Sequence, residues 1–134
     1  MDLPITSGFA AVVVAGFIWL SVNAMLTRRA AKVSVGTGGN TILERAVRAQ
    51  GNAAEYIPLM VVLVLLMELQ GMISWVVMVL AMVFVMGRAS HAYGLLVAEP
   101  KRKDFGWRVR GMAMTWGSLG TAASVVLLQG IGVL

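Results

Sequence analysis

Of 134 residues, 59% are hydrophobic and 13% charged, against about 25% charged in an ordinary soluble domain, so the chain is a single integral membrane domain rather than a soluble globule. Cysteine is absent, which excludes disulfides, thiolate catalysis and cysteine-ligated metals, and one histidine with six acids argues against a metal site. The net charge of +5 lies beside apolar runs, which points to membrane lipids and topology and not to nucleic acid.

The opening Met1-Asp2-Leu3-Pro4 lacks the basic start of a secretory signal, and the run behind it is too long for one. It is expected to be a retained membrane segment. Four apolar runs are present, about 5–26, 46–69, 73–97 and 109–134, each near the roughly 20 residues that span a bilayer. Backbone polar groups cannot go unpaired in lipid, so all four runs are predicted helical. The fold class expected is an all-α, up-down bundle of four transmembrane helices forming one domain, 1–134.

The connections differ in charge. The first, Thr27 to Leu43, carries Arg28, Arg29 and Lys32 and then Val35-Gly36-Thr37-Gly38-Gly39-Asn40; the second, Gln70 to Ser74, is short and uncharged. The third, Ala98 to Arg108, holds Lys101, Arg102, Lys103 and Arg108. The positive-inside rule puts both basic loops in the cytoplasm and both termini outside. Arg28, Arg29, Lys101, Arg102 and Lys103 are read from the residues alone as topological charges that meet lipid headgroups. Trp75 and Trp107 fall where interfacial belts are expected, Glu68 falls at the outer interface, and Pro58 is expected to kink the second helix. Gly87, Ser90, Gly94, Gly111, Gly117, Gly120, Thr121 and Ser124 are spaced for close helix packing.

The second run is entered through a polar stripe. At about 100° per residue, Arg48, Asn52 and Glu55 lie within roughly 60° of one another, with Tyr56 on the flank. The orientation places this stripe in the cytoplasmic half of the bilayer, level with Arg88 and His91 of the third helix and Arg108 and Arg110 of the fourth. A charge in a membrane helix costs about 2.5–3.5 kcal/mol and marks function by default. Two structural readings stand beside that: Glu55 could pair with Arg48 or Arg88 as a clamp, and His91 could simply bond a neighbouring helix. The layer is nevertheless rich in cations, which calls for an anion. Arginine favours carboxylate, Glu55 would suit an amine, and a thiol beside arginine would be held as thiolate.

The stretch Glu44-Arg45-Ala46-Val47-Arg48-Ala49-Gln50-Gly51-Asn52-Ala53-Ala54-Glu55-Tyr56-Ile57-Pro58 closely resembles the signature E-R-x-x-R-A-x-x-N-x-x-E-Y-x-P of the MAPEG family, the membrane-associated proteins in eicosanoid and glutathione metabolism. Gly87-Arg88-Ala89-Ser90-His91, the Gly38-Gly39 loop and Arg108-Val109-Arg110-Gly111-Met112 extend the likeness, which is greatest to small bacterial inner-membrane members. The resemblance implies a homotrimer with glutathione bound between subunits near the cytoplasmic face. It implies glutathione-binding roles for Arg28, Arg48, Gln50, Asn52, Glu55, Tyr56, Arg88 and His91, and a catalytic, thiolate-stabilising role for Arg110, with Arg108 as the alternative. Where eicosanoid-type members commonly carry a tyrosine one turn beyond the His91 position, this chain has Leu95. The function implied is a transferase or peroxidase that uses glutathione as co-substrate on a lipophilic small molecule, without metal. Two alternatives stay open: a non-enzymatic trimer retaining an anion site, and a small proton-coupled exporter using Glu55.

Overall fold

A computed structural model describes residues 2–133. Its helices are α1 (Pro4–Ala31), α2 (Thr41–Leu69), α3 (Ser74–Tyr93), a π-turn over Gly94–Ala98, the single turn α4 (Glu99–Arg102) and α5 (Gly106–Gly130). The described residues contain no strand. Four helices, with α3, the π-turn and α4 running as one, are long and apolar enough to cross a membrane.

The helices outrun the apolar segments because polar residues cap them. α1 continues past Leu26 to Ala31, with Arg28 and Arg29 in its last turn, where cations suit the dipole. Lys32 then turns left-handed at φ 55, and Lys32 N donates to Arg29 O while Val33 N donates to Arg28 O. Asn40 starts α2 five residues before Ala46: its Oδ1 accepts from Ile42 N at 3.1 Å and Leu43 N at 3.0 Å. The third crossing does not stop at Val97. Pro100 follows directly on the π-turn, and the helix continues through it to Arg102. α5 begins at Gly106 rather than Val109 and ends at Gly130; the expected last residue, Leu134, lies outside the described residues, as does Met1.

Contacts at each end give the up-down order. The Glu68 carboxylate accepts from Ile5 N, Thr6 N and Thr6 Oγ1 at 3.1, 2.8 and 2.6 Å, and Gln129 Nε2 donates to Gln70 O at 3.4 Å. The start of α1, the Gln70 turn and the end of α5 therefore share one end, and both basic connections share the other. Trp75 and Trp107 are exposed at these opposite ends.

α3 packs most extensively against α5, and small residues are the reason. A Cβ on Gly111 would stand 2.5 Å from His91 N and 2.6 Å from Gly87 O, and one on Gly94 would stand 2.7 Å from Arg108 N. Ser90 Oγ closes the same seam by donating to Trp107 O at 2.8 Å. Gly117 and Gly120, in contrast, meet nothing within 4 Å among the described residues. The core has a larger cluster around Phe9, Met60, Val64, Met67, Val77 and Phe84, with Phe9 and Phe84 edge to face at 5.9 Å. A smaller one, Leu20, Ala49, Ala53 and Leu95, lies toward the basic end, beneath the polar layer.

Candidate functional site

Arg88 is the pivot of the polar layer. From α3 its Nε donates to Thr115 Oγ1 at 3.0 Å and its Nη1 to the backbone oxygen of Asn52 at 3.3 Å, with Nη2 3.6 Å from Met112 Sδ. Its Cζ lies 5.2 Å from the centre of the Tyr56 ring, a cation–π contact. Thr115 is fully buried and its own hydroxyl donates a hydrogen bond to Gly111 O at 2.8 Å. One guanidinium thus joins α2, α3 and α5, and all of these partners are neutral.

Beside it lies a cavity of about 530 Å³, lined by Arg48 and Asn52 from α2, His91 from α3, Leu95 from the π-turn, and Arg108, Val109, Met112, Ala113 and Trp116 from α5. His91 is 5% exposed, held in the α3–α5 seam. Asn52 Nδ2 donates to Arg48 O at 2.8 Å, which uses one of its two N–H donors and leaves its oxygen as acceptor. Trp116 Nε1 donates to the Tyr56 hydroxyl at 3.3 Å and links the cavity wall to the ring under Arg88.

Arg48, Asn52 and His91 are therefore brought together, and Arg88 and Tyr56 are tied to their wall through Asn52, Met112 and Trp116. Other candidates lie apart from it in the chain. Arg28 Nη1 donates to Gly36 O at 2.7 Å and Val33 O at 3.4 Å, so it clasps the first basic loop. Gln50 is half-buried outside the cavity lining, and Glu55 is exposed on α2. Arg110 is exposed and does not line the cavity, whereas Arg108 does. The clamp reading of Glu55 fails on geometry: the only ion pair among the described residues joins Arg108 to Glu99, Nη1 to Oε1, at 3.2 Å.

Sequence reasoning passed over Glu99, Thr115 and Trp116. Thr115 carried a usable signal, since a hydroxyl four residues after Gly111 bonds back to that carbonyl and faces the same seam. Glu99 carried a weaker one, an acid at the join of an apolar run and a basic stretch. Electrostatically the cavity has Arg48 and Arg108 in its wall and Arg88 adjoining, against the single carboxylate of Glu99. Such a wall suits an anion with more than one acidic group.

A model of the MAPEG family matches residues 6–128 of this chain. The inner membrane protein YecN of Escherichia coli strain K12 is 41% identical over 88 residues, and the YecN of Escherichia coli O6:H1 strain CFT073 is identical to the same degree over the same length. These matches take in 66% of the chain and 63% of each relative. The chain thus covers somewhat less than two thirds of the curated relatives it matches.

Proposed function

The chain belongs to the MAPEG family, and from that premise we propose that it is an inner-membrane homotrimer that binds glutathione and conjugates it to lipophilic electrophiles. The observation that carries this is the surplus of arginine at one cavity, above all Arg88, half-buried on neutral partners alone. Glutathione supplies two carboxylates, an amine and a thiol. Arg48 takes a carboxylate and Glu55 the amine. Seven residues of helix separate these two, a rise of about 10.5 Å, which is the reach of three extended residues, about 10 Å. Asn52 and Tyr56 flank the peptide between them, and His91 bounds it on the α3 side.

Arg48 and Glu55 are both exposed on the protomer, so a neighbouring subunit supplies the far wall. Arg28, Gln50 and Arg110, which stand away from the cavity within one protomer, act in this reading across that interface. An arginine of α5 holds the sulfur as thiolate. The thiolate forms a carbon–sulfur bond to the electrophile, and the displaced electron pair departs with the leaving group. The electrophile reaches the sulfur from lipid by way of an apolar cavity of about 370 Å³, where Phe17, Leu20, Ile57 and Val85 stand with Arg88.

Isothermal titration of the detergent-solubilised protein with glutathione tests the binding. Wild type binds with a saturable isotherm, and Arg48→Ala weakens it at least about tenfold, the usual worth of a charge-assisted bond. Absence of heat at millimolar glutathione would sink the proposal. A second reading, an anion-binding trimer without chemistry, is favoured by one observation: Arg108, the cavity arginine of α5, already has a carboxylate partner. Thiolate absorbance from bound glutathione separates the two readings.

A further inference from the structure

Glu99 stands where the π-turn passes into α4, and only 5% of it is exposed. Arg108, in the first turn of α5, has Nη1 3.2 Å from Glu99 Oε1 and donates to Oε2 at 3.4 Å. Burying a carboxylate is costly unless it is paired, and Arg108 is the partner that Glu99 has. The local backbone is shaped for that meeting. Gly94 opens the π-turn, and a Cβ there would stand 2.7 Å from Arg108 N, so α5 starts directly against this turn. A residue inserted in a helix rotates every later side chain by about 100°, so the π-turn sets the angle at which Glu99 leaves the axis.

Arg108 is engaged from one side only. A guanidinium has five N–H donors, yet among the described residues Nε and Nη2 have no hydrogen-bond partner. The Phe105 ring covers one face, 5.6 Å from Cζ. The same side chain forms the cavity wall with Arg48, Asn52 and His91. It is anchored at one nitrogen, stacked on one face, and carries spare donors on a side chain that lines the cavity.

We propose that Glu99 is a positioning residue: it holds Arg108 in the cavity wall with its remaining donors aimed at the sulfur anion of the bound thiol. This rests on the glutathione-binding reading above and also assigns the thiolate arginine as Arg108. Glu99 touches no ligand and acts through Arg108. A free arginine spreads over many rotamers, and the anchor removes that spread before the ligand arrives. The carboxylate also offsets part of the guanidinium charge, which works the other way. Positioning and neutralisation predict opposite signs for the loss of Glu99.

The whole protein in detergent is titrated with glutathione and with S-methylglutathione, and bound thiolate is read by ultraviolet absorbance. Glu99→Gln lowers the thiolate signal at least about tenfold, as removal of an orienting partner does. Binding of S-methylglutathione, which has no ionisable sulfur, stays within about threefold of wild type. In an Arg108→Ala background Glu99→Gln has no further effect on either readout. A thiolate signal in Glu99→Gln equal to or above wild type overturns the proposal. A second arm needs neither ligand nor a foldable variant: phenylglyoxal modification of wild type, mapped by mass spectrometry, proceeds severalfold more slowly at Arg108 than at Arg110, and equal rates overturn the proposal. Wild type that binds no glutathione defeats the glutathione reading, while the phenylglyoxal rates still decide whether Arg108 is held.

Discussion

Arg88 is a cation whose partners are a hydroxyl, a carbonyl, a thioether and an aromatic face. Each neutral contact relieves part of its desolvation, and none returns the attraction of a counter-charge. A residue kept for stability is better served there by an apolar side chain. Its partners do not depend on it, since Thr115 still bonds Gly111 O and the Asn52 carbonyl remains within α2. Arg88→Met is therefore expected to leave thermal unfolding in detergent unchanged or to raise stability by about 1 kcal/mol. The same variant loses glutathione affinity at least about tenfold in isothermal titration. A variant that unfolds early yet binds normally would reverse the assignment and make Arg88 a structural clamp.

Glu68 shows how one helix is finished by another. The first N–H groups of a helix have no partner within it, and Ile5 N and Thr6 N of α1 find theirs on a carboxylate at the far end of α2. A negative charge there also suits the positive end of the helix dipole. Glu68→Gln is expected to cost about 1–2 kcal/mol, the worth of a good cap. Hydrogen exchange should quicken at the start of α1 and stay unchanged in the α3–α5 seam. The place of Glu68 at the end of α2 was legible in the sequence; its role was not, because the two groups lie 62 positions apart. The same division holds elsewhere. Apolar runs revealed the four crossings, since hydrophobic length is a local property, but their ends depend on Asn40, Lys32 and a proline that continues a helix instead of stopping it. The Arg48–Asn52 stripe was legible from helical spacing alone. The choice of Arg108 over Arg110 for the cavity wall was not, because the π-turn and the Gly94 approach set it.

Charge organises the whole molecule along the membrane normal. All 11 lysines and arginines fall either in the two basic connections or in the helix segments adjoining them. The opposite end, where the start of α1, the Gln70 turn and the end of α5 meet, carries none. Bringing positive loops across a membrane is unfavourable, so the basic end is expected to stay in the cytoplasm. With that orientation the candidate cavity, built from residues 48–52, 91–95 and 108–116, would open on the cytoplasmic half of the bilayer, where the proposed function needs a water-soluble thiol to reach Arg48 and a lipophilic partner to arrive through the hydrocarbon. The absence of cysteine makes the orientation directly measurable. Single substitutions Ser34→Cys and Lys101→Cys, both at exposed positions of the basic end, should resist a membrane-impermeant maleimide in intact spheroplasts and react once the membrane is opened. Gln70→Cys should react before lysis. The reverse pattern would put the arginine layer at the outer face, away from cytoplasmic thiol, and would remove the supply of ligand on which the proposed chemistry depends.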